Sequence, residues 1–222
     1  MPKNKLKRWA KVEDLPNFLD CDTYLERKKP YPKEQWNTEE FGNPNPITLE
    51  LACGKGEYSI GMAGLYPERN FVGVDIKGHR MFVGAEQAIE QELPNVRFLR
   101  AFIDHLDHYF GKGEVNEIWI IFPDPYLRKA RKRLTSPKFL NLYRTFCHPE
   151  CTINLKTDSI ELYEYTHQVI RDERLSILRD VGDIYKDTPD DSLLTIQTFY
   201  EQMHLEAGKQ SKFISFRLNP DS

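Results

Sequence analysis

No apolar run in this chain approaches the roughly 20 residues that span a bilayer. The longest that reads as a strand is Ile118 to Phe122. The basic opening Met1-Pro2-Lys3-Asn4-Lys5 has no apolar segment behind it, so a secretory leader is not expected. Cysteine is scarce, at 21, 53, 147 and 151. The spacing of Cys147 and Cys151 excludes a C-x-x-C redox pair and a paired zinc knuckle, and four reduced thiols in a cytoplasmic protein are expected. Neither a membrane nor a metal is an expected partner. There is no excess of positive charge: 31 Lys and Arg stand against 34 Asp and Glu, for a net charge of −3. The molecule as a whole is therefore not a basic nucleic-acid binder. Internal repeats and low-complexity segments are also missing.

What is present is an ordinary soluble composition, 40% hydrophobic and 29% charged, in a chain of 222 residues. That length suits one sizeable α/β domain. The charge is unevenly spread. Lys3, Lys5, Lys7, Arg8 and Lys11 form one basic cluster, and Arg128, Lys129, Arg131, Lys132 and Arg133 a denser one. A phosphate backbone needs such local patches, not a positive average.

Residues 1–46 read as a basic arm with a short helix, closed by the breaker cluster Asn43-Pro44-Asn45-Pro46. Residues 47–222 read as a single domain. Short β-forming runs at Ile47–Leu51, Phe71–Ile76, Val96–Leu99, Ile118–Phe122 and Thr152–Leu155 alternate with helical patterns. The helices are expected at Tyr58–Tyr66, Arg80–Glu92, Pro137–Phe146 and Ile160–Arg171, with Ser136 as N-cap of the third. Two closing strands, Leu175–Asp180 and Phe213–Leu218, follow. This alternation predicts an α/β fold: a mostly parallel sheet with helices on both faces.

Four motifs fall at strand ends. Glu50-Leu51-Ala52-Cys53-Gly54-Lys55-Gly56 follows the first strand and opens a helix. Gly54 and Gly56 let backbone approach a ligand, and Asp75, 19 residues beyond Gly56, sits where an acid meets ribose hydroxyls. A dinucleotide fingerprint needs a third glycine where this chain has Ser59. Glu50 would also repel a pyrophosphate. S-adenosyl-L-methionine carries a ribose, an ammonium and a sulfonium and no phosphate, so the acidic–glycine–acidic pattern favours it over NAD. Phe122-Pro123-Asp124-Pro125-Tyr126 ends the fourth strand, with prolines on both sides fixing the backbone of Asp124. The basic run from Arg128 follows at once. Leu155-Lys156-Thr157-Asp158 brings a second carboxylate to the same edge.

In order and spacing these segments resemble the bacterial tRNA (guanine-46-N7)-methyltransferases. The likeness rests on Glu50 to Gly56, Gly73-Val74-Asp75-Ile76, Ile121 to Pro125, Arg131-Lys132-Arg133-Leu134-Thr135, Phe139-Leu140-x-Leu142-Tyr143, Lys156-Thr157-Asp158 and Thr198-Phe199-Tyr200-Glu201. It implies the Rossmann-like class I methyltransferase fold, with a seven-stranded sheet. It implies cofactor contacts at Glu50, Gly54, Gly56, Asp75 and Asp124, with Asp124 also the catalytic acid. Arg128, Asp158, Thr198, Phe199, Tyr200 and Glu201 match positions that bind the substrate guanine and tRNA, and Lys129, Arg131, Lys132 and Arg133 are placed for phosphates. A cytoplasmic monomer or homodimer acting on tRNA is the expectation. Ala52, Tyr126-Leu127 and Arg128 depart from the family pattern, and Arg100-Ala101-Phe102-Ile103 lacks the acid often found near the adenine.

Guanine N7 has an in-plane lone pair and no proton, so no general base is required, in keeping with the lack of a candidate His or Cys. Two other readings stay open. An amino-group nucleic-acid methyltransferase would use a Pro-Pro-aromatic segment, which Pro123 to Tyr126 matches in part. A tRNA-binding module with a relic cofactor pocket would account for Ala52 and Phe102.

Overall fold

The computed structural model describes residues 15–20, 31–206 and 208–220. The first basic cluster, Lys3 to Lys11, and Cys21 lie outside the described residues. Eight strands form one sheet: β1 (Phe18–Asp20), β2 (Ile47–Leu51), β3 (Asn70–Asp75), β4 (Val96–Arg100), β5 (Val115–Ile121), β6 (Cys147–Thr157), β7 (Ile177–Val181) and β8 (Lys212–Arg217). Their order is β1-β4-β3-β2-β5-β6-β8-β7, and only β8 runs against its neighbours. The seven expected strands are all present. β1 adds an eighth, paired parallel to β4, that three residues are too few to reveal by periodicity.

The α-helices are α1 (Glu57–Leu65), α2 (Gly78–Glu90), α3 (Pro137–Tyr143), α4 (Ile160–Asp172), α5 (Ile184–Asp187) and α6 (Phe199–Glu206). None is long and apolar enough to cross a membrane. β5 shows how the two faces are built. Ile118 and Ile120 join a core with Leu49, Leu51, Phe139, Tyr143 and Leu162, on the side of α3 and α4. Trp119 and Ile121 join Tyr58, Ile60, Phe82, Ala85 and Phe98, on the side of α1 and α2. A central parallel strand covered on both faces carries apolar residues at successive positions rather than at alternate ones.

The segment ahead of β2 is packed onto the sheet. Trp36 is fully buried, stacks on Phe110 at 4.8 Å, and donates from its indole N–H to the Tyr109 carbonyl at 2.8 Å. Its short helix is a π-helical turn, Trp36–Phe41. At α3 the expected cap is altered. Ser136 occupies the N-cap position, but its hydroxyl donates to the Arg131 carbonyl at 3.1 Å instead of accepting from the helix. The serine thereby ties the basic run to the helix start. Ser159 does cap α4, accepting from the Leu162 N–H at 3.2 Å.

Candidate active site at the carboxyl edge of the sheet

Strand order reverses at β2, which lies between β3 and β5. In an open α/β sheet the crevice outside the strands' carboxyl ends at this reversal is the ligand site. The glycine turn, Asp75, the Asp124 loop and Asp158 lie at the carboxyl ends of β2, β3, β5 and β6, on this edge.

The turn after β2 has three residues in left-handed backbone: Ala52 (φ 59°), Gly54 (φ 60°) and Gly56 (φ 72°). The two glycines do different work. A Cβ on Gly56 would stand 2.3 Å from the Phe98 ring, so this glycine is demanded by packing. A Cβ on Gly54 would enter open space, so this glycine leaves the edge clear for a ligand. Ala52 keeps the turn without a glycine, at a left-handed cost of about 1–2 kcal/mol.

Both oxygens of Asp75 are held by the chain. Oδ2 accepts from the Gly54 N–H at 3.0 Å and Oδ1 from the Lys77 N–H at 2.8 Å. Glu50 turns inward beneath the turn and is 2% exposed. Its Oε2 accepts from the Ser59 N–H at 2.7 Å and the Ser59 hydroxyl at 2.5 Å, in the first turn of α1. The residue that breaks the dinucleotide fingerprint is thus the one that holds the acid. Burial pushes the Glu50 carboxyl up to about 8, against the pull of the two Ser59 hydrogen bonds, with Glu57 and Asp75 adding repulsion.

The loop after β5 is strained at both ends: Phe122 has φ 44° and Tyr126 φ 41°. Non-glycine residues in this region cost about 1–3 kcal/mol each and gather at functional sites. Asp124, between them, is exposed, with no hydrogen bond or ion pair among the described residues. The loop is stapled by Arg133, whose Nε donates to the Pro125 carbonyl at 2.9 Å while its guanidinium lies 4.4 Å from the Tyr165 ring centre. Arg133 is 7% exposed, so the basic run divides: Arg128, Lys129, Arg131 and Lys132 face solvent, whereas Arg133 holds the loop.

At the end of β6, Asp158 is half-buried and pairs with the exposed Lys209 at 3.0 Å. The Thr198–Glu201 segment is also split. Phe199 and Tyr200 are exposed, while the Thr198 hydroxyl accepts from the Glu201 N–H at 3.2 Å and Glu201 is wholly buried. Glu201 Oε2 meets the Lys156 Nζ at 2.7 Å, with both side chains at zero exposure. Lys55 and Glu57, from the glycine turn, reach across to the same segment. Glu57 accepts from the Phe199 N–H at 3.3 Å, and the Lys55 ammonium lies 4.4 Å from the Phe199 ring centre. The sequence signal for Lys156 is its place in Lys-Thr-Asp and for Lys55 its place in Gly-Lys-Gly; Ser59 shows only as a missing glycine, and Glu57 carries no signal. Phe102 stands 58% exposed after β4, and Asp104 pairs with Lys138.

Residues 44–214 match a family described as "Putative methyltransferase". Solved structures share the fold. The 16S rRNA methyltransferase KamB superposes with a TM-score of 0.65 at 14% identity, covering 88% of this chain and 97% of that one. A SAM-dependent methyltransferase from Aquifex aeolicus gives 0.55 at 15% identity, covering 94% and 97%. The fold is that of the S-adenosylmethionine-dependent methyltransferases. Among relatives, the tRNA (guanine-N(7)-)-methyltransferase of Bacteroides thetaiotaomicron is 42% identical over 219 residues, 98% of this chain and 87% of that protein. Its counterpart in Porphyromonas gingivalis is 46% identical over 189 residues, 84% and 78% respectively. The chain belongs to the tRNA (guanine-N(7)-)-methyltransferase family.

Proposed function

We propose that this protein methylates N7 of guanine 46 in the variable loop of tRNA, in the cytoplasm, with S-adenosyl-L-methionine as donor. The observation that carries the reading is one edge that combines a glycine turn open at Gly54, the anchored Asp75, an Asp124 unpaired among the described residues and a row of exposed cations. The edge fits the cofactor's chemistry. Asp75 stands ready for ribose hydroxyls, and the buried Glu50 places a carboxyl under the turn, where a cationic amino-acid end would sit. No phosphate need be accommodated beside these acids.

When bound, S-adenosyl-L-methionine supplies an electrophilic methyl group, for which a guanine N7 lone pair is a nucleophile that has no proton to lose. The chain's own residues are left with alignment and charge. Holding nucleophile and electrophile in a reactive geometry is worth up to about 7–11 kcal/mol in favourable cases. Asp124 and Asp158 face a purine that becomes cationic on methylation. Fixed carboxylates stabilise that charge and accept hydrogen bonds from guanine's N1–H and exocyclic amine. Phe199 and Tyr200 offer exposed rings for stacking a base, and Arg128, Lys129, Arg131 and Lys132 offer charge to phosphates.

The test is a methylation assay with an unmodified tRNA transcript and a twin in which guanine 46 is adenine, the product nucleosides being identified by mass spectrometry. 7-Methylguanosine from the first transcript alone is the expected result. Equal product from both would refute the position, and no product from either would refute the activity.

A further inference from the structure

We propose that Lys156 is a positioning residue for methyl transfer: one buried ammonium that holds the Asp124 loop and the Phe199–Tyr200 segment in a single arrangement against the start of α1. The inference rests on the methyl-transfer reading above. All three ammonium protons have an acceptor: the Leu194 carbonyl at 2.7 Å, the Ile196 carbonyl at 3.1 Å and Glu201 Oε2 at 2.7 Å. Around it stand three rings, those of Tyr58 at 5.2 Å, Phe122 at 5.6 Å and Tyr185 at 5.9 Å. Apart from Tyr185, in α5, these groups come from three parts of the site. Tyr58 lies two residues past Gly56 and itself donates to the Leu193 carbonyl at 2.6 Å. Phe122 is the strained residue that leads into Pro123 and Asp124. Leu194, Ile196 and Glu201 bracket the segment that ends in Phe199 and Tyr200. Lys156 itself immediately precedes Thr157-Asp158.

A buried ion pair is weak evidence for stability, because both charges give up their hydration. Its geometry does specify one arrangement, since each donor has one acceptor and both side chains are sealed from solvent. Sequence resemblance makes Glu201 a substrate contact. Its enclosure with Lys156 assigns it instead to this anchor, acting on the guanine through the placement of its neighbours.

The experiment compares K156M, E201Q and the double variant K156M/E201Q. It uses single-turnover methyl transfer to the unmodified tRNA transcript, calorimetric affinity for S-adenosylhomocysteine, and amide hydrogen exchange. K156M is expected to slow transfer about 10- to 100-fold while cofactor affinity stays within about threefold. Faster exchange should be confined to residues 193–203 and the loop from 122. Because the two residues act as a unit, the double variant should be no more than about threefold worse than the poorer single. Losses that multiply, or wild-type transfer by K156M, would overturn the proposal. Should K156M fail to fold, E201Q decides: lost transfer with wild-type exchange means that Glu201 works by direct contact, and the anchor is wrong. Wild-type protein that forms no 7-methylguanosine overturns the reading beneath, and the positioning claim with it.

Discussion

The two halves of the carboxyl edge treat their acids in opposite ways. On the β2–β3 side the acids are held by the protein: Asp75 by two backbone N–H groups, Glu50 by both donors of Ser59. On the β5–β6 side Asp124 has no partner among the described residues, and Asp158 has a lysine that is itself exposed. The first half is finished before any ligand arrives. The second presents Asp124, which has no partner among the described residues and is left to meet a ligand. Preorganised groups cost nothing at the moment of reaction, whereas an exposed carboxylate gains strength only when a substrate excludes water from it.

This contrast can be broken most sharply at Asp124. Asp124→Ala should lower kcat about 10²- to 10³-fold with the thermal transition unchanged, since no partner among the described residues is lost; near-normal kcat would remove Asp124 from the chemistry. The basic run gives the next largest effect. Replacing Lys129, Arg131 and Lys132 together by alanine should weaken tRNA binding about tenfold or more and flatten its logarithmic salt slope by about 2 to 3. Arg133→Ala should instead lower turnover with little change in that slope, because its guanidinium holds the Pro125 carbonyl. An equal slope change in both variants would put Arg133 among the phosphate contacts.

On the finished side the expected signal is one of pH. The folded protein keeps the Glu50 proton to about pH 8, whereas the ordinary value is 4.5. Between those limits the unfolded chain binds fewer protons, so stability falls as pH rises, by up to about 1.4 kcal/mol per unit. Glu50→Gln should remove that decline in denaturation curves run from pH 5 to 8; an unaltered slope would show that Glu50 does not cause it. Cofactor affinity should rise with pH over the same range in the wild type, as the carboxyl becomes an anion, and be flat in the variant. The smallest change is Ala52→Gly. Relief of a left-handed alanine, less the added freedom of the unfolded chain, should raise stability by up to about 1 kcal/mol, or about 2–4 °C in Tm. A marked loss would mean that the packing of Ala52 against the core outweighs the strain of its backbone.

The central parallel strands were legible because each contains a short, β-rich apolar run closed by turn residues, whereas the three-residue β1 was not. β2 falls at Ile47–Leu51, where the pattern puts it. The edge was legible too, because parallel strands send all their carboxyl ends one way, so Glu50, Gly54, Asp75, Asp124 and Asp158 had to converge. Direction along a side chain was not. Arg131 and Arg133 are two residues apart in one basic run, yet only packing against Tyr165 and Pro125 turns the second inward. Tyr200 and Glu201 are adjacent, yet a helix turns one out and one in. A four-residue motif is too short to show that face. Ser59 read as a missing glycine, since its role appears only once β2 and α1 are seen to meet.

The methyl acceptor proposed for this protein is a single atom, guanine N7. A synthetic tRNA with 7-deazaguanine at position 46 replaces N7 by C–H and leaves the other base-pairing edges in place. With it, the protein should bind the RNA as before and transfer no methyl group under conditions that fully modify the natural guanine. Methyl incorporation into the deaza substrate at the natural rate would show that another atom is the acceptor, and would contradict the account.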